Sequence, residues 1–128
     1  MVFGVFDGLH EGHHHFLTEA QRHCTRLIVV VAHPNIVRSL KQRLPLFSLT
    51  KRIETLRALS TSYEVIVGDT GIGTWSALKH FQPDIVLLGY DQERLGQELA
   101  KLDVPHTFLS SHYPEKFKSS LLNNQRAA

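Results

Sequence analysis

The chain has 128 residues, of which 42% are hydrophobic and 20% charged, with a formal net charge of only +2. This length and mix suit one small globular domain, too short for two cores and too apolar for disorder. The 14 Lys and Arg residues form no dense block, so nothing electrostatic favours a nucleic-acid partner. No apolar run reaches membrane-spanning length and no signal-peptide pattern is present; a lone Cys24 excludes a disulfide framework, which points to a reducing, cytoplasmic setting.

The first element is an apolar strand over Met1 to Phe6 that runs into a glycine-punctuated turn. The turn reads Gly4-Val5-Phe6-Asp7-Gly8-Leu9-His10-Glu11-Gly12-His13, with a helix expected from the second histidine. His10 and His13 then lie at a helix N-terminus, where free N–H groups and the positive dipole end favour anions. Imidazoles at that place hold phosphoryl oxygens without burying a permanent charge. Adjacent His14 and His15 suggest a metal cluster, but consecutive helical residues diverge and cannot share one ion, so no metal site is expected there.

Arg26 to Ala32 contains five consecutive apolar residues, the pattern of a strand covered on both faces. The stretch from His33 to Phe47 reads as a long basic loop carrying Arg38, Lys41 and Arg43. Ser48 is an expected N-cap for a helix through about Leu59. A short strand at Val65 to Val67 leads to Gly68-Asp69-Thr70-Gly71-Ile72-Gly73, whose glycine spacing fits neither a dinucleotide fingerprint nor a P-loop. That segment reads as a flexible loop on the substrate side, with Trp75 shielding an acceptor. A short helix over Trp75 to Phe81, a buried strand over Asp84 to Gly89 and a helix over Gln92 to Leu102 follow, the last interrupted by Gly96. His106 to Leu109 is the last expected strand, and a C-terminal helix is expected near Lys118. Alternation of this kind predicts a Rossmann-like, doubly wound α/β fold over residues 1–128, with a parallel sheet of about five strands. Ligands of such sheets bind beyond the strand carboxyl ends where strand order reverses.

Gly-x-Phe-Asp-x-x-His-x-Gly-His, preceded by a strand and followed by a helix, resembles the signature of the cytidylyltransferase-like nucleotidyltransferases. Val5 stands where that pattern often has Thr, which removes a hydroxyl. Gly89-Tyr90-Asp91-Gln92 resembles the Gly-x-Asp-Gln of the family's archaeal-type FAD synthetase branch, although Asp91 has the alternative of merely capping the next helix. Phe117 to Ser120 resembles the second half of the family's C-terminal motif, whose leading Arg-Thr is absent here.

The resemblance implies transfer of a nucleoside monophosphate from ATP or CTP to a phosphorylated small-molecule acceptor, with Mg²⁺ accompanying the triphosphate and pyrophosphate leaving. It implies His10, His13 and Lys41 or Arg43 as the catalytic groups. Val5, Phe6, Gly89, Asp91, Gln92, Ser119 and Ser120 are the implied nucleotide contacts, joined by Arg52 as a bidentate phosphate ligand. Asp7 and Trp75 are the expected substrate-side contacts. Relatives' habit of pairing makes a homodimer an option without identifying an interface. An FMN adenylyltransferase ranks above a cytidylyltransferase acting on glycerol-3-phosphate or another small polyol phosphate. The alternative of another class is a nucleotide-binding module without turnover.

Overall fold

The computed structural model describes residues 1–71 and 73–109. β1 (Val2–Gly4), β2 (Leu27–Val31) and β3 (Tyr63–Val67) form one parallel sheet in the order β1-β2-β3. β4 (Val86–Leu88) and β5 (His106–Phe108) form a parallel pair beside it. Two backbone bonds join the pieces: Leu87 N–H donates to Met1 O at 2.9 Å, and the Met1 nitrogen to Ile85 O at 3.0 Å. The resulting order, β3-β2-β1-β4-β5, reverses between β1 and β4, as a doubly wound sheet does at its ligand crevice.

The five apolar residues of β2 explain why helices cover both faces. Leu27, Val29 and Val31 point into a core shared with Val2, Leu17, Leu56 and Leu87, while Ile28 and Val30 face Leu78, Val86, Leu88 and Leu99. The first core is capped by α1 (Glu11–Arg22) and α3 (Leu49–Leu59), the second by α4 (Ser76–Phe81) and α5 (Glu93–Lys101). Full burial of each Leu or Val stabilises by about 1.5–3 kcal/mol, so neither face of β2 tolerates a polar replacement.

Several elements differ from the sequence-based expectation. The basic stretch after β2 is not one loop: α2 (Pro34–Lys41) forms because His33 caps it and Pro34 supplies a helical φ at its start. The first strand ends at Gly4, since Phe6 turns into the left-handed region at φ 53°. α1 begins at Glu11, earlier than expected, with His10 as its N-cap. Gly96 does not interrupt α5. It lets the helix close on β4 and β5, where a Cβ would stand 3.0 Å from Phe108 Cζ and 3.2 Å from Leu88 Cδ1. Ser48 caps α3 as expected, accepting the Lys51 N–H at 3.1 Å. The expected C-terminal helix lies outside the described residues.

Candidate active site

The carboxyl ends of β1, β2 and β4 open into a crevice of about 950 Å³, within the range of small-molecule sites. Its floor is the Gly4–Gly8 turn. Gly4 is required there, because a Cβ would stand 2.7 Å from the ring of Phe6. Phe6 in turn packs its buried ring against the His13 imidazole, centroids 5.7 Å apart. The left-handed backbone at Phe6 costs about 1–3 kcal/mol, which the buried ring offsets.

His10 and His13 form a reciprocal cap on α1. Nδ1 of His10 accepts the Gly12 N–H at 3.0 Å, and Nδ1 of His13 accepts the His10 N–H at 3.3 Å. With both Nδ1 atoms accepting, each neutral ring carries its proton on Nε2, a donor for the crevice that both residues line. Burial holds the His13 pKa below its ordinary value; neighbouring His10 and His14 add to this and the Asp91 carboxylate opposes it. His13 is therefore neutral near pH 7. His15 pairs with Glu11 at 3.5 Å, and no group of three or more metal-ligating side chains occurs among the described residues.

Asp91 stands in the turn after β4, on the other side of the crevice, with Oδ1 over Gly89. The N-cap position of α5 belongs to Gln92, so capping does not account for Asp91. Gln92 lines the crevice and also braces the fold. Its Oε1 accepts the Gly89 N–H at 2.9 Å and its Nε2 donates to Phe3 O at 2.8 Å, which staples β1 to the β4 turn at the switch point.

Two further expected ligand residues are also held by the fold. Arg52 is only 1% exposed: Nη1 donates to Val5 O at 3.0 Å and to Ala32 O at 2.9 Å, and Nε to Phe47 O at 3.3 Å. These bonds tie the ends of β1 and β2 to the start of α3, so the guanidinium lies beneath the crevice floor and not on its surface. Val5 lines the crevice, but its carbonyl is taken by that bond. Asp7 lines the crevice, and its two carboxylate oxygens also hold the loop before α3, accepting the Leu46 N–H at 2.8 Å and the Phe47 N–H at 2.9 Å. Burial alone would raise the Asp7 pKa. Those two amides, with Arg52 and Arg43, outweigh it and hold the carboxyl below its ordinary value.

The α2 wall carries Lys41 and, just beyond it, Arg43, whose Nη1 lies 4.0 Å from Asp7 Oδ2; both line the crevice and are exposed. Trp75 lines the far wall in a left-handed conformation at φ 54°, edge-on to Phe3 with centroids 6.0 Å apart. The loop before it is tethered: Asp69 accepts from the Thr74 hydroxyl and, at 2.8 Å, from the Ser76 N–H that opens α4. Ser119 and Ser120 lie outside the described residues. Sequence reading missed His33, which lines the crevice and accepts the Asn35 N–H on Nδ1 at 3.0 Å. The signal was His33-Pro34, a capping residue followed by proline, obscured by the surrounding positive charge.

Comparison with known proteins identifies the family. The sequence pattern described as Cytidylyltransferase-like matches residues 1–120. The FAD synthase of Thermococcus onnurineus (strain NA1) is 44% identical over 102 residues, covering 77% of this chain and 68% of that protein. The FAD synthase of Methanosarcina barkeri (strain Fusaro / DSM 804) is 39% identical over 109 residues, covering 82% and 76%. Among solved structures, a lipopolysaccharide core biosynthesis protein from Thermoplasma volcanium GSS1 superposes with a TM-score of 0.74 at 31% identity, over 88% of this chain and 95% of that one. A Gly4–His13 turn facing a Gly89–Gln92 turn across the switch point of a parallel sheet, together with a family match over nearly the whole chain, makes this protein a member of the cytidylyltransferase-like family of nucleotidyltransferases.

Proposed function

We propose that this chain is an FMN adenylyltransferase, a single catalytic domain that joins FMN and ATP into FAD and pyrophosphate. The observation that carries the reading is the pairing of two crevice walls, His10 with His13 on one side and Gly89 with Asp91 on the other. FAD synthase relatives at 39–44% identity support the choice of ATP and FMN over CTP and a small polyol phosphate.

In this reaction an oxygen of the FMN phosphate attacks the α-phosphorus of ATP in line. The new P–O bond forms as the bond from the α-phosphorus to the bridging oxygen breaks, and pyrophosphate leaves with that electron pair. Positioning and charge stabilisation supply most of the acceleration, since no covalent enzyme intermediate is needed. The Nε2–H donors of His10 and His13 hold the α- and β-phosphate oxygens. A neutral His13 suits that task, because it donates without bringing a desolvated cation into the crevice. Lys41 and Arg43 meet the charge gathering on pyrophosphate, and Asp91 accepts from the ribose hydroxyls or the base amino group. Mg²⁺ enters as part of the substrate, bound mainly by the triphosphate's own oxygens, as this reluctantly dehydrated ion commonly is. Asp7, Arg52 and Gln92 act as positioning residues. A lone Cys24 and the absence of any helix long and apolar enough to cross a membrane among the described residues are compatible with work in the cytoplasm.

The test is to incubate the protein with Mg²⁺ and either ATP or CTP, in the presence of FMN, riboflavin or glycerol 3-phosphate, and to follow pyrophosphate and FAD. Pyrophosphate release with ATP and FMN, matched by FAD, is expected. Release with CTP and glycerol 3-phosphate alone would replace this reading, and nucleotide binding without release from any pair would make the chain a binding module.

A further inference from the structure

α2 presents a composite face to the crevice. His33, Ile36 and Leu40 all line it, and their spacing of three and then four residues places them on one side of α2. Leu46 continues the wall and is 84% exposed; Leu40 is 54% exposed. With Ile36 they make a contiguous apolar strip on the crevice wall, a surface that the apolar part of a ligand can cover. At the polar end of the same face, the His33 Nδ1 accepts the Asn35 N–H at 3.0 Å, so the neutral ring offers Nε2–H.

We infer that this face of α2 is the acceptor wall, on which His33 Nε2–H binds the acceptor's phosphate and Ile36, Leu40 and Leu46 cover its apolar body. The wall lies on the β2 side of β1, whereas Gly89 and Asp91 lie on the β4 side. A nucleoside held at Asp91 with its phosphates over His10 and His13 leaves the α2 side for the other reactant. Pyrophosphate has no apolar part and gains nothing from Ile36, Leu40 and Leu46. A phosphate monoester on a broad apolar ring system has both of the features that the wall complements. His33 is thus a specificity-determining contact for the acceptor and takes no proton in the transfer: the bond made is from acceptor oxygen to α-phosphorus, and the bond broken is to pyrophosphate.

The inference rests on the FMN adenylyltransferase reading, and the experiment separates the two. His33→Asn keeps the cap, because an Asn side chain also accepts the Asn35 N–H, but it removes the Nε2–H donor. His33→Ala removes both. FMN and riboflavin affinities would be measured by flavin fluorescence, KM values for FMN and ATP by FAD formation, and Tm by circular dichroism. In His33→Asn, FMN affinity is expected to fall about tenfold, the scale of one hydrogen bond to a charged group, with riboflavin affinity, the ATP KM and Tm unchanged. The preference for FMN over riboflavin therefore narrows by the same factor. His33→Ala shows that loss together with a lower Tm. An unchanged FMN-to-riboflavin ratio in a His33→Asn protein that still makes FAD overturns the role of His33 and leaves the function standing. A rise in the ATP KM as large as that for FMN assigns His33 to the triphosphate, which also overturns it. If the unsubstituted protein makes no FAD, the function itself fails and the acceptor wall falls with it.

Discussion

His10 and His13 lock one another across the first turn of α1: the His10 N–H donates to the His13 Nδ1 at 3.3 Å, and the ring centroids lie 4.0 Å apart. The lock is structural, but its consequence is chemical, because each ring is left with Nε2–H as its donor. His13→Gln retains an acceptor for the His10 amide at the position where capping boxes favour Gln, whereas His13→Ala does not. Both variants are expected to lose about 10²–10³ in kcat, the typical cost of one oriented donor at a reacting phosphoryl or acyl centre. Only His13→Ala should also lose appreciable Tm. Near-normal pyrophosphate release by either would remove His13 from the reaction.

The same histidine gives a pH signature in stability. Its folded pKa lies below the ordinary 6.5, so the unfolded chain binds a proton more readily. Stability from the neutral ring is fully present above 6.5 and declines as pH falls from there through the lower folded value. Urea midpoints at about pH 7.5 and about pH 5 should therefore differ more for the unsubstituted protein than for His13→Gln. Equal differences would mean that His13 is not held neutral.

Asp7 titrates in a separate window. Its pKa is depressed, so its contribution is present above the ordinary 3.8 and is lost as pH falls through the folded value. Asp7→Asn leaves one of the Leu46 and Phe47 amides facing an NH₂ group and is expected to cost about 1–3 kcal/mol in urea unfolding. Because the tethered loop carries Leu46 and lies beside Arg43, the KM for the acceptor should rise as well. An unchanged KM would show that the loop keeps its place without the tether.

Arg52→Lys tests whether the guanidinium braces the fold. A lysine cannot fork between Val5 O, Ala32 O and Phe47 O, so a loss of about 2–4 kcal/mol is expected. Where the variant remains folded by circular dichroism, its KM for ATP should change less than about twofold, against tenfold or more for a lost phosphate ligand.

Gln92→Glu is expected to destabilise more than Gln92→Ala. The carboxylate still accepts the Gly89 N–H but faces Phe3 O with no hydrogen to donate. Chemical denaturation of the pair gives the order directly, and the reverse order would remove the staple between β1 and the β4 turn.

The sequence by itself determined the parallel α/β fold, the capped helix after Ser48, and the histidine turn that lines the crevice. Each of these is local: a run of five apolar residues, a side chain accepting an amide three residues on, a motif within ten positions. Tertiary structure decided which polar residues remain available to a ligand. Arg52 and Asp7 resemble ligands as sequence; once β1, β2 and the α3 loop converge, carbonyls and amides 5 to 47 positions away bond Arg52 Nε and Nη1 and both Asp7 oxygens, while Arg52 Nη2 is buried without a partner. Gln92 is likewise claimed by Phe3, 89 residues earlier. His33 moved the other way, from an unremarked loop residue to a donor on the crevice wall, because α2 forms where positive charge hid its cap and the parallel sheet then sets its N-terminus beside the Gly4–Gly8 turn. A buried polar group must find partners wherever the fold provides them, and that demand is invisible until the fold is known.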